Sequence, residues 1–407
     1  MNVVKDKECI AMLLAGGEGT RLHPLTLHTA KPAVHFGGSY RMIDFALSNC
    51  LNSGISNVGV VTQYKPEALF NHIGEGQSWL NSDQDGEIAL LHPGNGEVYA
   101  GTADAVFQNR FYINRHQPEY VIILSGDHIY RMDYNSMLEE HKRTKADVTV
   151  AVAPVNWDEA HRFGILSTDE IGRITKFTEK PAKPESNLAS MGIYIFNWKF
   201  LESFLIKDNG NSSSSHDFGK DVLPAIINFG ANIFAYSFKG YWRDVGTIQS
   251  LWEANMDMLH DPELLPWMNE DTQVVSTCTD MTPQFIQTGL RVRRSIVCED
   301  CTIFGKVERS IISFGVQIGE GSLIEDSVIM PGVIIGKNTV VKNAIIGEGT
   351  YVGDGVMIKG TGRNDIAVIG ERETVLIRSE RLTKPVFSKY WMKWISTPLS
   401  DFRSQSN

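Results

Sequence analysis

The chain has 407 residues, of which 42% are hydrophobic and 21% are charged, as in a globular protein of two or three domains. Its 38 basic and 48 acidic residues give a formal net charge of −10, which argues against broad binding to the phosphate backbone of nucleic acid. No apolar run approaches the length of a membrane span and no signal segment precedes the first glycine-rich loop, so we expect a cytoplasmic protein.

Up to about residue 255, short apolar strands alternate with helical stretches. The predicted strands cover 9–15, 57–63 and 120–127, and the predicted helices cover 40–54, 103–116 and 134–144. Continuous apolar strands separated by helices indicate a Rossmann-like α/β domain with a mostly parallel sheet that is covered on both faces. Ligands of such sheets bind at the carboxyl ends of the strands, which places the glycine-rich loop, Gln63 and Asp127 at one edge.

The loop after the first predicted strand reads AGGEGTRL, a pattern that suits phosphate. Backbone N–H groups beside glycines approach a ligand closely, and a helix start after the loop would add a positive dipole end. The Walker pattern fails because no Gly-Lys-Ser/Thr follows, and a dinucleotide fingerprint read from Gly17 needs glycine where Leu22 stands. What remains is G-G-x-G-T-R, in which Arg21 offers a planar fork of donors to phosphate oxygens. An ordinary strand-to-helix turn with an exposed arginine is the alternative.

Two aspartates far apart in sequence are candidates for a metal site. Asp127 ends the strand predicted over 120–127, and Asp244 lies in the segment GYWRDVGT. Two carboxylates at one edge are suited to hold Mg²⁺, which prefers oxygen ligands and keeps other positions for water and phosphate. Each also fits a purely structural role, Asp127 as a helix N-cap and Asp244 as a turn former before Gly246.

The segment KFTEKPAKP contains two residues suited to a sugar phosphate. Lys180 precedes Pro181, so we expect extended backbone there and a side chain that reaches a phosphate. Glu179 is able to accept hydrogen bonds from sugar hydroxyls, whereas the alternative for this segment is a solvated surface. The Gly/Ser-rich run 210–215 leads into a helix predicted over 216–226, and we interpret the run as a flexible surface loop or a flap beside the site.

The second half of the chain has a different period, in which aliphatic residues recur at six-residue steps and glycine directly follows several of them. The residues of this pattern are Val297, Ile303, Ile312, Ile318, Ile324, Met330, Ile335, Val341, Ile346, Val352 and Ile358. This hexapeptide signature predicts a left-handed parallel β-helix, with irregular corners where the steps shorten after Met330 and Val341. The predicted division is a catalytic domain over 1–256, a linker over 257–290 and a β-helix domain with a C-terminal tail over 291–407.

The cysteines are five in number and scattered, which indicates no disulfide framework and agrees with a reducing compartment. Cys298 and Cys301 form a C-x-x-C pair. Zinc would need two more ligands, yet no second pair exists and no histidine follows His260. We therefore interpret the pair as a chance placement.

Several short segments and the hexapeptide half follow one another in an order that matches a known family. The segments are LAGGEGTRL, AKPAVHFGGSYRMIDFALSNCLNSGI, TQY, GTADAV, LSGDHIYRMDY, FTEKP, LASMGIYIF, SSHDFGKD and YWRDVGT. Over nearly its whole length the chain resembles the sugar-nucleotide pyrophosphorylases, a nucleotidyltransferase family, and within them the branch that makes ADP-glucose. The resemblance implies transfer of AMP from ATP to α-D-glucose 1-phosphate with Mg²⁺, which gives ADP-glucose and pyrophosphate for glycogen biosynthesis. It also implies a homotetramer, or a heterotetramer with a paralogous subunit.

The same resemblance implies a role for each residue that matches a family motif. The implied nucleotide ligands are Leu14, Gly16, Gly17, Thr20, Arg21, Gln63, Gly101 and Thr102. The implied sugar-phosphate ligands are Tyr99, Gly164, Glu179, Lys180 and Ser190. The implied metal ligands are Asp127 and Asp244, and the implied catalytic residues are Arg21, Asp127 and Lys180.

Three other functions stay open. A pyrophosphorylase that uses UTP, dTTP or GTP would share the loop and the carboxylates, and only the branch-specific segments favour ATP. Hexapeptide acyltransferases generally rely on a histidine base in the coils, whereas all 11 histidines here lie at or before His260. A non-catalytic regulatory subunit would keep the fold, but the loop with Arg21 and the two aspartates argues against it. The β-helix and the C-terminal segment FSKYWMKWI are the predicted assembly surface.

Overall fold

The computed structural model describes residues 8–80, 86–94, 98–260, 273–277, 282–362 and 365–377. Cys278 and the predicted assembly segment 387–395 lie outside these ranges. The strands of the first half are β1 Cys9–Leu14, β2 His35–Phe36, β3 Tyr40–Arg41, β4 Asn57–Val61, β5 Glu87–Leu91, β6 Tyr120–Ser125, β7 His128–Tyr130, β8 Val148–Pro154, β9 Gly164–Thr168, β10 Ile174–Glu179, β11 Leu188–Asn197, β12 Ile233–Ser237 and β13 Trp242–Asp244. The helices are α1 Met42–Asn52, α2 Glu67–Ile73, α3 Thr102–Gln108, α4 Arg110–His116, α5 Tyr134–Arg143, α6 Trp198–Asn209, α7 Leu223–Phe229 and α8 Ile248–His260.

The main sheet has the order β10-β9-β11-β6-β1-β4-β5, and β8 and β12 extend it from β11. β1 pairs in parallel with β4 and β6, and β4 pairs in parallel with β5. β11 runs antiparallel to β6, β8 and β9, so the sheet is mixed. β1 and β6 are buried along almost their whole length because apolar clusters cover both faces of the sheet, as their continuous apolar sequences predicted.

Two of the predicted helices differ from the structure. The helix predicted over 103–116 is broken at Asn109, because its side-chain Nδ2 donates to the Ala105 carbonyl at 2.8 Å and to the Tyr99 hydroxyl at 2.9 Å. The helix predicted over 216–226 starts as a single π-helical turn, Phe218–Val222, and continues as α7. Asp217 caps that turn through Oδ1, which accepts from the N–H groups of Gly219 and Lys220.

The second half forms a left-handed parallel β-helix of three sheets, as predicted. Its strands are β14 Phe285–Ile286, β15 Val292–Arg293, β16 Ile296–Val297, β17 Thr302–Ile303, β18 Lys306–Glu308, β19 Ile311–Ile312, β20 Gln317–Ile318, β21 Leu323–Glu325, β22 Val328–Ile329, β23 Ile334–Ile335, β24 Val340–Lys342, β25 Ala344–Ile346, β26 Tyr351–Val352, β27 Met357–Lys359, β28 Ala367–Ile369 and β29 Thr374–Val375. All the strand pairs within these sheets are parallel.

Between β18 and β27 the shortened steps recur regularly, which corrects the prediction of irregular corners there, whereas pairings before and after this part advance 15 and 23 residues. Val307 pairs with Ile324, and Ile324 pairs with Val341, so each of these coils advances 17 residues. One corner of each coil is shorter than the others, and a residue of positive φ lies there, such as Asp326 at 48° or Asn343 at 46°. Ile329 rather than Met330 faces the interior of the β-helix, because Met330 packs in the core shared with the α/β domain.

One face of the β-helix packs against the α/β domain. Ile311, Val328 and Ile345 belong to one buried apolar cluster with residues of α1 and α8. The Trp252 indole Nε1–H donates to the Asp326 carbonyl at 2.9 Å across this contact. Helix α8 ends at His260 and the first coil strand starts at Phe285, whereas the predicted linker covers 257–290. Those domain boundaries stay a prediction.

The two cysteines of the C-x-x-C pair lie near this contact and have separate partners. Cys298 Sγ lies 3.3 Å from Ser39 Oγ of the α/β domain, and Cys301 Sγ–H donates to the Ser313 carbonyl at 3.0 Å. Burial raises the pKa of the Cys301 thiol to about 11, so this thiol stays protonated at neutral pH. The surroundings of Cys301 therefore favour packing over metal binding.

Glu371 gives the contact between the two halves a pH dependence. Burial and then repulsion from Glu348 raise the pKa of Glu371 from 4.5 to about 7. Glu348 stays ionised because its hydrogen bond with His35 lowers its pKa to about 2 against the effect of burial. The folded protein binds the Glu371 proton more tightly than the unfolded chain does, so this group lowers stability as the pH rises from 4.5 to about 7.

We therefore expect Glu371→Gln to flatten the decline in stability over that pH range. At pH 8 the variant should be more stable than the wild type by an amount on the order of 1 kcal/mol, and near pH 4 the two should be similar. Urea denaturation at a series of pH values measures the difference. Parallel stability profiles for the two proteins would contradict this role of Glu371.

Candidate active site

The carboxyl ends of β1, β4 and β6 meet at one edge of the main sheet. Leu14 lies opposite Val61 of β4 and Ser125 of β6, and the Gly126 N–H donates to the Leu14 carbonyl at 3.0 Å. The glycine loop, Gln63 and Asp127 follow these strand ends directly. A Cβ on Gly16 would lie 3.2 Å from Gln63 Cβ, so glycine permits the close approach of the two loops.

The glycine loop is not followed by an α-helix, which corrects the expectation of a helix start. It leads into a single 3₁₀ turn, Thr20–Leu22. Gly19 has a φ of 70°, and a Cβ there would lie 2.9 Å from Lys31 Cβ. A turn of three residues adds little dipole, so phosphate binding at this loop depends on the backbone N–H groups and on Arg21.

Asp127 and Asp244 come together although they are 117 positions apart in the sequence. β13 pairs with β7 in antiparallel register, so that Asp244 lies opposite His128, the neighbour of Asp127. Both carboxylates contact the ammonium group of Lys31: Asp127 forms a hydrogen-bonded ion pair with it, and Asp244 Oδ1 lies 3.7 Å from Nζ. His128 Nε2 lies 3.7 Å from Asp127 Oδ1 and 3.8 Å from Asp244 Oδ1.

This cluster keeps Asp127 ionised. Burial opposes the charge, but the Lys31 ammonium, His128 and the Ser125 hydroxyl outweigh it and hold the pKa of Asp127 well below its usual range. Lys31 itself is buried, with 8% of its side chain exposed. A carboxylate that is ionised at neutral pH is the form that binds a divalent cation.

Arg21 lies beside the second aspartate. A Cβ on Gly246 would lie 2.9 Å from Arg21 Nη2 and 2.9 Å from Asp244 Oδ1, so the guanidinium and the carboxylate flank the same glycine. Arg21 is exposed, as are Gly17 and Thr20 of the loop. The exposed Arg21 guanidinium is therefore able to contact, from the solvent side, an anion that binds on the loop.

The predicted sugar-phosphate residues form a second group. Cβ atoms on Gly164 and Gly219 would lie 2.9 and 2.8 Å from Glu179 Oε2, so this carboxylate is held between two glycines. Lys180 Nζ lies 2.6 Å from Glu179 Oε1, and the lysine side chain is 60% exposed. Lys180 has a φ of 44°, which corrects the expectation of extended backbone before proline. Its N–H donates to the Phe163 carbonyl at 3.0 Å, a contact that fixes this backbone.

Ser190 lies on β11 at an irregularity in the pairing with β8, between Ser190 and Tyr194. It is buried, and its hydroxyl donates to the Tyr194 hydroxyl at 3.3 Å and accepts from the Gly192 N–H at 3.2 Å. Burial, with repulsion from the Glu179 carboxylate, raises the pKa of Tyr194. Ser190 is therefore hydrogen-bonded to a tyrosine that lies within electrostatic reach of Glu179.

Tyr99 connects the predicted base and sugar regions. Its N–H donates to Gln63 Oε1 at 2.6 Å, and its hydroxyl accepts from Asn109 Nδ2. Gly101 and Thr102 follow at the start of α3 and are contacted by the segment before α7. The predicted nucleotide residues therefore reach from the glycine loop through Gln63 to α3.

Two family models match the chain. Residues 10–261 match the model described as nucleotidyl transferase, and residues 284–368 match the one described as GlmU-like, C-terminal hexapeptide. The first match covers the α/β domain up to the end of α8, and the second covers most of the β-helix.

Curated relatives define the family more narrowly. The chain is 54% identical to the glucose-1-phosphate adenylyltransferase of Clostridium acetobutylicum over 322 residues, 78% of this chain and 85% of the relative. Over the same length it is 53% identical to the enzyme of that name from Halalkalibacterium halodurans and 52% identical to that of Bacillus licheniformis, of which it covers 84% and 85%. The chain belongs to the glucose-1-phosphate adenylyltransferase family. It is a nucleotidyltransferase, as its motifs indicated.

Two side chains of this site, those of Lys31 and His128, were not among the predicted residues. Lys31 lies in the segment AKPAVHF, and it is buried with its apolar neighbours. A lysine in so apolar a segment indicates a buried ion pair, because a buried lysine needs a partner of opposite charge. His128 follows Asp127 directly and gave no separate signal. The Trp242 ring packs edge-on against it at 5.6 Å, and the Met191 carbonyl lies 3.1 Å from Nδ1.

Asp127 and Asp244 together form a small set of oxygen donors. Within the described ranges, no group of three or more His, Cys, Asp or Glu side chains is arranged to hold an ion by itself. Two carboxylates suit Mg²⁺, which is held by one or two protein carboxylates together with water and substrate phosphates. In that same part of the chain, every helix is too short or too polar to span a membrane.

Proposed function

We propose that this chain transfers AMP from ATP to α-D-glucose 1-phosphate, which releases pyrophosphate and gives ADP-glucose for glycogen biosynthesis. The names and the high identity of its relatives support this reaction. The observation that carries it is the convergence of Asp127, Asp244, Lys31 and Arg21 beside the glycine loop. Cations and carboxylates at that edge are the groups that the transfer of AMP between two anions requires.

In this proposal ATP lies along the glycine loop and glucose 1-phosphate lies beside Glu179. The nucleotide ligands are Leu14, Gly16, Gly17, Thr20, Arg21, Gln63, Gly101 and Thr102. The sugar-phosphate ligands are Tyr99, Gly164, Glu179, Lys180 and Ser190. The Gln63–Tyr99 hydrogen bond supports this arrangement, because it joins a proposed nucleotide ligand to a proposed sugar-phosphate ligand.

The chemistry needs positioning more than a protein nucleophile. A phosphate oxygen of glucose 1-phosphate attacks the α-phosphorus of ATP in line, the bond from that phosphorus to the bridging oxygen breaks, and pyrophosphate leaves with the bond electrons. Arg21 and Lys180 offset the repulsion between the two anions and stabilise the charge on the phosphoryl oxygens. Lys31 keeps Asp127 ionised and oriented.

Nucleotidyltransferases of this family generally use a divalent metal. We propose that the ion is Mg²⁺ and that Asp127 and Asp244 hold it. The two carboxylates lie close enough for one cationic group, the Lys31 ammonium, to contact both. Bound there, Mg²⁺ neutralises charge on the phosphate oxygens.

A substrate panel tests the proposed reaction. We expect pyrophosphate release to be fastest with ATP and glucose 1-phosphate, by at least tenfold over UTP, dTTP, GTP or other sugar 1-phosphates, as roughly 1–3 kcal/mol of discrimination would give. A preference for UTP would replace this proposal with a different pyrophosphorylase. Absence of pyrophosphate release with every pair would favour a regulatory subunit.

The assembly and the compartment are separate proposals. A tetramer, of one subunit type or with a paralogous subunit, is what the family resemblance implies, and the exposed Met357 and Phe285 of the β-helix support an assembly surface there. We propose a cytoplasmic location, which is supported by the small number of cysteines and by the free thiols of the four that the structure describes.

A further inference from the structure

The hydroxyl of Thr102 joins two segments that lie 115 residues apart in the chain. Thr102 Oγ1 donates to Asp217 Oδ2 at 3.0 Å and accepts from the Phe218 N–H at 3.0 Å. Thr102 is the first residue of α3, and Asp217 caps the π-helical turn before α7. One side chain therefore fixes the position of that turn relative to α3.

The turn forms one side of the surroundings of Glu179. The Gly219 N–H donates to Asp217 Oδ1 at 2.9 Å, so the aspartate holds Gly219 while its other oxygen binds Thr102. The closeness of Gly219 to Glu179 Oε2 leaves no space for a Cβ between them. A displacement of the turn would therefore change the position of the carboxylate that the proposed function assigns to the sugar.

The segment before the turn also packs against the start of α3. The His216 carbonyl accepts from the Ala103 N–H at 2.8 Å, and a Cβ on Gly101 would lie within 2.5 Å of the carbonyl oxygens of Ser215 and His216. His216 is held from the other side, because its Nδ1 lies 2.8 Å from Asp208 Oδ2 of α6. The backbone that precedes Asp217 therefore packs against the start of α3, on the side of the proposed sugar-phosphate site.

We propose that Thr102 is a positioning residue for glucose 1-phosphate, in addition to any contact with the nucleotide. Its hydroxyl holds Asp217 and the turn at Gly219 against Glu179, and thereby sets the affinity for the sugar phosphate. This inference rests on the proposed function, since Glu179 is a sugar ligand only there.

Thr102→Val, which keeps the shape and removes the hydroxyl, tests the inference. We expect the KM for glucose 1-phosphate to rise roughly tenfold and by clearly more than the KM for ATP, whose rise measures any direct contact of the hydroxyl with the nucleotide. Thr102→Ala should give the same split, and Thr102→Ser should restore wild-type values. A rise confined to the KM for ATP, or no rise in either KM, would overturn the positioning role.

Thr175→Val is the matched control, because Thr175 is also exposed and its hydroxyl donates to a backbone carbonyl, that of Ser167. Its kinetic constants should match the wild type. In an Asp217→Ala background, Thr102→Val should raise the KM for glucose 1-phosphate by less than it does in the wild type, since the Thr102–Asp217 hydrogen bond is already lost and only the Phe218 N–H contact remains to be removed; fully additive effects would count against the inference. A wild type that makes no ADP-glucose overturns the proposed function, whereas normal turnover with an unchanged KM in T102V overturns only the role of Thr102.

Discussion

Asp127→Asn should lower kcat roughly 10³-fold while the KM for glucose 1-phosphate changes less than about threefold. Asparagine has the shape of aspartate but no charge, so it neither binds a divalent cation strongly nor pairs with the Lys31 ammonium. The loss falls on the transition state, because charge on the phosphoryl oxygens is largest there. Steady-state kinetics with both substrates varied, at saturating Mg²⁺, measures the two constants separately.

Asp133→Asn is the matched control for this change. Asp133 caps α5, where its carboxylate accepts from the N–H groups of Asn135 and Ser136. Asparagine caps helices about as well as aspartate does, so activity and stability should stay close to wild type. Turnover of Asp127→Asn within a few fold of the wild type would refute the assignment of Asp127 to the metal and to catalysis.

Lys31→Met should lower kcat roughly 10²-fold and destabilise the protein by about 2 kcal/mol. Methionine fills similar volume but leaves Asp127 and Asp244 near one another without the ammonium that contacts both. The pKa of Asp127 should rise toward or above its usual range, because the strongest influence that lowers it is removed. The variant should therefore lose stability most clearly at neutral pH, where the wild-type carboxylate is ionised.

Thermal unfolding with and without millimolar Mg²⁺ separates this effect from simple loss of packing. A divalent cation that binds both carboxylates should raise the melting temperature of Lys31→Met more than that of the wild type. Lys176→Met, which removes an exposed lysine paired with Glu185, should change neither property. Equal responses of Lys31→Met and the wild type to Mg²⁺ would contradict the electrostatic role of Lys31.

The sequence predicted the elements whose pattern is local. Unbroken apolar runs such as β1 and β6 are typical of buried parallel strands, and their ends determine where Gln63 and Asp127 lie. The six-residue step predicted the β-helix in the same way, since each coil repeats one short pattern. These predictions needed no knowledge of which distant segments meet.

The features that were missed or wrong depend on tertiary partners. Lys31 binds Asp127 across 96 positions of sequence, and Thr102 binds Asp217 across 115, so no local pattern contains either pair. Lys180 adopts positive φ because its N–H bonds to Phe163 on a neighbouring segment, which overrides the usual preference before proline. Met330 fitted the six-residue step, but only the packing of the α/β domain distinguishes its environment from that of Ile329.

In each of the strands β19, β22 and β25, a residue that packs in the interior of the β-helix stands next to one that packs against the α/β domain. A substitution at Ile311, Val328 or Ile345 is therefore constrained by the surface of a different domain, whereas one at Ile312, Ile329 or Ile346 is constrained by adjacent coils. The packing of the two halves consequently constrains substitutions in both at once. Exchange of the β-helix between relatives should succeed only when this outward row is exchanged together with the residues of α1 and α8 that cover it.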